Sequence, residues 1–380
     1  MIKTVRSSVP PRNRTATTQP TKKKEIRRHP QEPRRAFGQT PPMTLSSAPA
    51  GPRRRRSAAP RRTSILTVAG LLAAAGATAW APTAHAAATS RVVTTTVATR
   101  CAFLTYQTPV DWYFPSGAAK ALVWLQHGFA EDKSLYAGYA RQLADNGFLV
   151  AATTLPSADL FGCTVNNLGN NTAYLNNVAT LFGTKDASSG ALNASFRAAR
   201  VTAGRADLTM PQKLAFVGHS AGGEAVSYVA GRLRTAYPAT FSQLTGLVLE
   251  DPVASPAGSN LATGLSALAP TGLPVYALAS PKNSCNADQS GTQQLITSLP
   301  GRFHGAQIST GVHQDIYGSD NTALFNLVCG TPKAGNTNAV RTLTTGWLTG
   351  FAEGTGDPAY FPGGSVYDAL QSAGTISTLP

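Results

Sequence analysis

A serine flanked by small residues stands at Gly218-His219-Ser220-Ala221-Gly222-Gly223, a match to G-x-S-x-G. In that pattern the serine occupies a very tight strand-to-helix turn, and small flanking residues let chain and helix pass close. The turn exposes the hydroxyl at a helix N-terminus, where the dipole favours developing negative charge. Such a serine attacks a carbonyl once a base takes its proton. In a chain with 35 glycines the spacing alone is a weak signal, since a plain glycine-rich turn would also carry it. Its surroundings strengthen it. Lys213–Val217 (KLAFV) reads as a strand and Glu224–Arg232 as a helix, the context the motif demands.

The partners of such a serine follow it in the order acid, then histidine. Of the six histidines (His29, His85, His127, His219, His304 and His313), only the last two follow Ser220. His304 opens a strand-like run. His313 lies just past its end in Gly311-Val312-His313-Gln314-Asp315, on the side where parallel sheets place their sites, and is the expected base. Two acids compete. Asp251 ends the run LTGLVLED, 31 residues after Ser220, where a strand end fixes its position. Asp288 would have to reach from a long loop beyond Ser280. Asp251 is favoured and Asp288 is kept as the alternative. Glu250 should alternate to the other face of its strand. Asp315 is too near His313 in sequence and suits a loop cap. For the oxyanion, the loop at His127-Gly128-Phe129 and the residue after the serine suggest the backbone N–H groups of Phe129 and Ala221. His127 reads as a structural residue that hydrogen-bonds this loop.

These residues need a scaffold. Apolar runs at 121–126, 148–155, 214–217, 244–249, 274–279 and 303–309 read as strands. Stretches at 134–146, 171–183, 191–204, 221–237, 288–299 and 336–351 read as helices. Alternation of this kind predicts an α/β domain with a mostly parallel sheet and helices on both faces. Segments 156–170 and 252–272 are expected to line the substrate cleft, since loops beyond strand ends carry specificity. Their low charge, with Phe161, points to an uncharged or apolar acyl group. The Gly- and Pro-rich tail from Glu353 is expected to wrap the surface.

The net charge of +15 would suit a nucleic-acid binder if it belonged to the folded part. It does not. Residues 1–62 hold 17 Lys+Arg against 2 Asp+Glu, and residues 63–380 hold 16 of each. That basic, proline-rich leader cannot bury enough apolar surface to offset chain entropy and reads as disordered. Residues 63–86 then read as the apolar region and cleavage site of an export signal ending at Ala84-His85-Ala86. Arg61-Arg62 hints at twin-arginine export. The apolar stretch is short for a membrane anchor. Met43 is a more natural start than Met1 for such a signal. The domain expected from 87 to 380 has ample length for one core. It holds all four cysteines, Cys101, Cys163, Cys285 and Cys329, which in an exported chain argue for disulfides. Pairing Cys101 with Cys163 and Cys285 with Cys329 would staple the two ends separately. No spacing suggests a metal site, and the chemistry needs no cofactor.

Together these features resemble the α/β-hydrolase superfamily, and within it the chlorophyllase-type and related secreted esterase and polyester-hydrolase branch. The similar segments are LQHGFAEDKSLYAGYARQLADNGFLVAA, GHSAGGE, LVLEDPV and the block from Cys285 to GVHQD, spanning roughly residues 105–352. The resemblance implies ester hydrolysis through an acyl-enzyme, with Ser220 and His313 matching the nucleophile and base and the Asp of DPV matching Asp251. Chlorophyllases usually carry Arg where Ala221 stands, which argues against chlorophyll as substrate. The expected function is therefore hydrolysis of a small-molecule or polymeric carboxylic ester outside the cell, with no nucleic-acid partner and no stable membrane anchor. The alternatives are an acyltransferase using the same residues and a non-catalytic cell-envelope binding protein on a hydrolase scaffold.

Overall fold

Runs of consecutive apolar residues become strands buried on both faces. This is clearest in β3 (Leu122–Gln126, LVWLQ), β4 (Leu149–Thr153) and β5 (Leu214–His219), in which every residue is buried. A strand covered by helices on both sides reads as a continuous apolar run rather than an alternating one. The computed structural model describes residues 90–380 except Asn167. The leader at 1–62, the export signal at 63–86 and the start at Met43 lie outside the described residues.

The remaining strands are β1 (Arg91–Cys101), β2 (Leu104–Phe114), β6 (Leu244–Glu250), β7 (Val275–Ala279), β8 (Gly305–Ile308) and β9 (Ile376–Thr378). They form one nine-stranded sheet in the order β1-β2-β4-β3-β5-β6-β7-β8-β9. The stretch from β4 to β8 is parallel throughout. β1, β2 and β9 join antiparallel at the edges. The domain is therefore α/β with a mostly parallel mixed sheet.

Side chains of β3 alternate between two cores, as the period of a strand requires. Leu122 and Trp124 join one, with the helices Thr172–Gly183, Ala191–Thr202, Ala221–Ala236 and Asn260–Leu268. Trp124 is wedged there between Phe182 and Phe216, at ring distances of 4.5 and 5.0 Å. Val123 and Leu125 join the other, with the helices Ala137–Asp145 and Ala334–Glu353. Helices thus cover both faces of the sheet.

Several sequence expectations need correction. The hairpin β1–β2 was not anticipated. Its threonine-rich outer strand lacks the apolar density of a central one. Segment 252–272 is not all loop, because Asn260–Leu268 is a helix whose Leu261, Leu265 and Leu268 are buried. The helix expected over 288–299 begins only at Ser290, because Ala287, Asp288 and Gln289 all take positive φ. The tail does more than wrap the surface. It forms the helix Ser365–Ser372 and then β9, which pairs with β8. A further short helix, Ala323–Cys329, follows the loop that holds His313.

The disulfides pair as the sequence favoured, Cys101 with Cys163 and Cys285 with Cys329. No helix among the described residues is long and apolar enough to cross a membrane.

Candidate active site

Ser220 stands at the end of β5 with φ 54° and ψ −125°, and the helix Ala221–Ala236 starts at the next residue. A positive φ at a non-glycine residue costs about 1–3 kcal/mol and persists only where the surroundings impose it. Here close backbone packing imposes it. A Cβ on Gly222 would lie 2.4 Å from the carbonyl oxygen of Gln126, and one on Gly218 would lie 2.4 Å from that of Gly222. The helix can begin this close to β3 only with those glycines in place.

Asp251 follows directly on β6, also at positive φ (41°). Its carboxylate meets four donors. Oδ1 accepts from the N–H of Ser280 at 2.9 Å and from Asn286 Nδ2 at 3.3 Å. Oδ2 accepts from Ser280 Oγ at 2.6 Å and from His313 Nδ1 at 2.7 Å. This donor set suits an ionised, acceptor-only carboxylate and puts the Nδ1 proton of His313 on the Asp251 side. Asp288 is exposed on the loop after β7 and makes no such contact. The structure therefore brings Asp251, and not Asp288, to His313.

His313 is buried in the loop after β8. Ser220 lies beside the pair. Its N–H donates to the carbonyl of Glu250, the neighbour of Asp251, at 3.0 Å, and its carbonyl accepts from Val253 N–H at 3.2 Å. Among the described residues His313 Nε2 makes no hydrogen bond, including none to Ser220 Oγ. Such bonds are often long in a free enzyme and tighten when substrate arrives. A cavity of about 10 Å³ behind the pair is lined by His219, Glu250, Asp251, Ser280, His313 and Asp315. It has room for one water and none for an acyl group.

The loop after β3 lies against the serine, so that a Cβ on Gly128 would come within 2.8 Å of Ser220 Cβ. Phe129 follows in that loop, with a half-exposed side chain and an N–H that makes no hydrogen bond among the described residues. Ala221 opens its helix, where N–H groups lack intrahelical partners. His127 is buried and donates through Nδ1 to the carbonyl of Gly128 at 2.8 Å. Burial pulls its pKa down, so it is neutral there. His304 is held between the carbonyls of Leu299 and Pro380, away from these groups. Asp315 accepts from Val312 N–H at 2.8 Å and so caps the loop, and burial pushes its pKa up to about 6.

Neither a scan against protein-family models nor a search of curated proteins found a match to this chain.

Sequence reasoning missed a second cluster beneath this one. The side chain of Glu131 is buried and accepts from Gly128 N–H at 2.7 Å, from Tyr136 Oη at 2.6 Å and from Tyr317 Oη. His219 Nδ1 lies 2.8 Å from Tyr136 Oη and 3.4 Å from Glu131 Oε2. Its Nε2 donates to the backbone carbonyl of His313 at 2.8 Å. Burial alone would raise the pKa of Glu131, but the charge and hydrogen bonds of His219, with the two tyrosine hydroxyls, outweigh it and hold it at about 2. Burial likewise opposes the charge on His219, and Glu131 reverses this and raises its pKa. Glu131 was in plain view three residues after Gly128. Only its contacts, drawn from its own loop, from His219 and from Tyr317, distinguish it from an ordinary surface carboxylate.

Proposed function

We propose that this chain is an exported serine hydrolase of the α/β-hydrolase fold that cleaves carboxylic esters through an acyl-enzyme. The observation that carries the reading is the 2.7 Å pairing of Asp251 with His313 beside a serine held at positive φ on a strand-to-helix turn. His313 Nε2 takes the Ser220 proton as Oγ attacks the ester carbonyl. The N–H groups of Phe129 and Ala221 receive the oxyanion, and Asp251 stabilises the imidazolium. His313 then returns the proton to the leaving alcohol. Water, activated by the same imidazole, releases the acid.

The strand order supports this fold, since the nucleophile follows the central parallel strand β5, the acid follows its neighbour β6, and the base follows β8 nearer one edge. Two disulfides fit an oxidising compartment and so support export. The segment beyond β4 exposes Phe161 (90%) and Leu160 (71%), which favours an apolar acyl or polymer chain over a charged one.

The test is labelling with a fluorophosphonate, run beside hydrolysis of p-nitrophenyl esters of increasing chain length. Labelling and turnover in the wild type, both lost in Ser220→Ala, support the reading. A wild-type protein that neither labels nor turns over any chain length overturns it.

A further inference from the structure

One carboxylate lies where the two loops of the site meet. We propose that Glu131 is a positioning residue that holds the oxyanion loop and the base loop in register, through a single carboxylate shared by Gly128 N–H, Tyr136, Tyr317 and His219. The inference rests on the reading of Ser220 as nucleophile and His313 as base.

Three of the four partners of Glu131 lie on segments that carry a working part. Gly128 precedes Phe129, so its N–H bond to Glu131 at 2.7 Å sets the turn that presents the Phe129 N–H. Ala130 takes a positive φ of 57° within that turn, a conformation that needs an external hold. His219 precedes Ser220 and grips the carbonyl of His313, with the two imidazole rings 4.5 Å apart. Tyr317 lies four residues past His313 on the same loop, and its ring packs edge-on against Tyr136 at 5.1 Å. Glu131 thus ties the two loops together beside the direct contacts of His219 with His313 and of Tyr136 with Tyr317.

The arrangement is poorly explained as a device for stability. A buried ion pair loses in desolvation much of what it gains in attraction, and an apolar replacement is often as stable. What it does supply is geometric definition, because every donor is fixed by one acceptor. An oxyanion hole works only if its donors are already in place when charge develops.

Positioning predicts a loss confined to the transition state. In Glu131→Gln, kcat on p-nitrophenyl acetate should fall tenfold or more while KM stays within twofold. Affinity for an alkyl boronic acid, which forms a tetrahedral adduct on Ser220 Oγ, should fall by a similar factor. Tyr317→Phe removes one hydroxyl and should give a smaller loss of the same kind, and it carries the test if Glu131→Gln does not fold. A folded Glu131→Gln variant with lower thermal stability but wild-type kcat and boronate affinity overturns the proposal.

A readout independent of turnover separates this proposal from the functional one. The downfield proton resonance of His313 Nδ1–H reports the His313–Asp251 geometry. It should shift or broaden in Glu131→Gln even if no ester is ever turned over. An unchanged resonance sinks the role of Glu131, whereas failure of fluorophosphonate labelling in the wild type sinks only the hydrolase reading.

Discussion

Glu250 and Asp251 are neighbours, yet the strand sends them to different surroundings. Asp251 meets four donors beside His313. Glu250 is buried against the helix Ala334–Glu353, where Thr344 Oγ1 donates to it at 2.5 Å and burial pushes its pKa up to about 8. A carboxyl whose folded pKa is raised contributes stability that is complete below its unfolded value and declines as pH rises toward the folded one. Glu250→Gln should thus be indistinguishable from wild type in thermal melts at pH 4. Near pH 7 it should be more stable by up to about 3 kcal/mol, since each pKa unit is worth about 1.4 kcal/mol. Equal melting shifts at both pH values would refute this. For the pair itself, Asp251→Asn should cut kcat by about 10⁴, as expected when the imidazole loses its orienting acid. Asp288→Asn should leave it within twofold, because Asp288 is exposed and its carboxylate does not hydrogen-bond His313. At this scale the sequence marked out Ser220, His313 and Asp251 as candidates, since each follows directly or closely on a readable strand. It hid Glu131, Ser280 and Asn286, whose roles arise only from contacts between distant segments.

Central strands were legible as elements because a strand buried on both faces must be apolar throughout. The turn around Ser220 was legible for a related reason, since its glycines answer to backbone contacts rather than to side-chain packing. Gly222→Ala should prove severely destabilising, because the added methyl would meet the Gln126 carbonyl oxygen at 2.4 Å. Overpacking of this kind costs about 1–3 kcal/mol or more. A melting temperature within a degree of wild type would argue against the packing described here. The outer hairpin was not legible. β1 (RVVTTTVATRC) has exposed and buried positions in irregular mixture, and its partner β2 meets β4 through Val110 opposite Thr153, far apart in the chain. β9 is only three residues long and owes its existence to the free edge of β8. The segment bearing Leu160 and Phe161 is tied to β1 by the Cys101–Cys163 bridge. Replacing both residues by serine should raise KM for long-chain esters several-fold and leave acetate hydrolysis unchanged. An equal effect on both substrates would remove the segment from substrate binding.

At the level of the whole molecule, the strong positive charge belongs to residues 1–62, and residues 63–380 carry 16 basic and 16 acidic side chains. The two bridges close segments of 62 and 44 residues. Loop-closure entropy assigns each about 4 kcal/mol at this length. Mild reduction should accordingly lower the denaturant midpoint well before it alters the secondary structure seen by circular dichroism, and an unchanged midpoint would contradict the estimate. The second bridge has a narrower consequence. Cys285 and Cys329 close a covalent ring that contains His313 but neither Ser220 nor Asp251. A chain folded without an oxidant therefore assembles Ser220 and Asp251, the proposed nucleophile and acid, while His313, the proposed base, sits in an unfenced segment. Reduced and oxidised preparations should then take up the same amount of a serine-directed label at saturation and differ in how fast they do so.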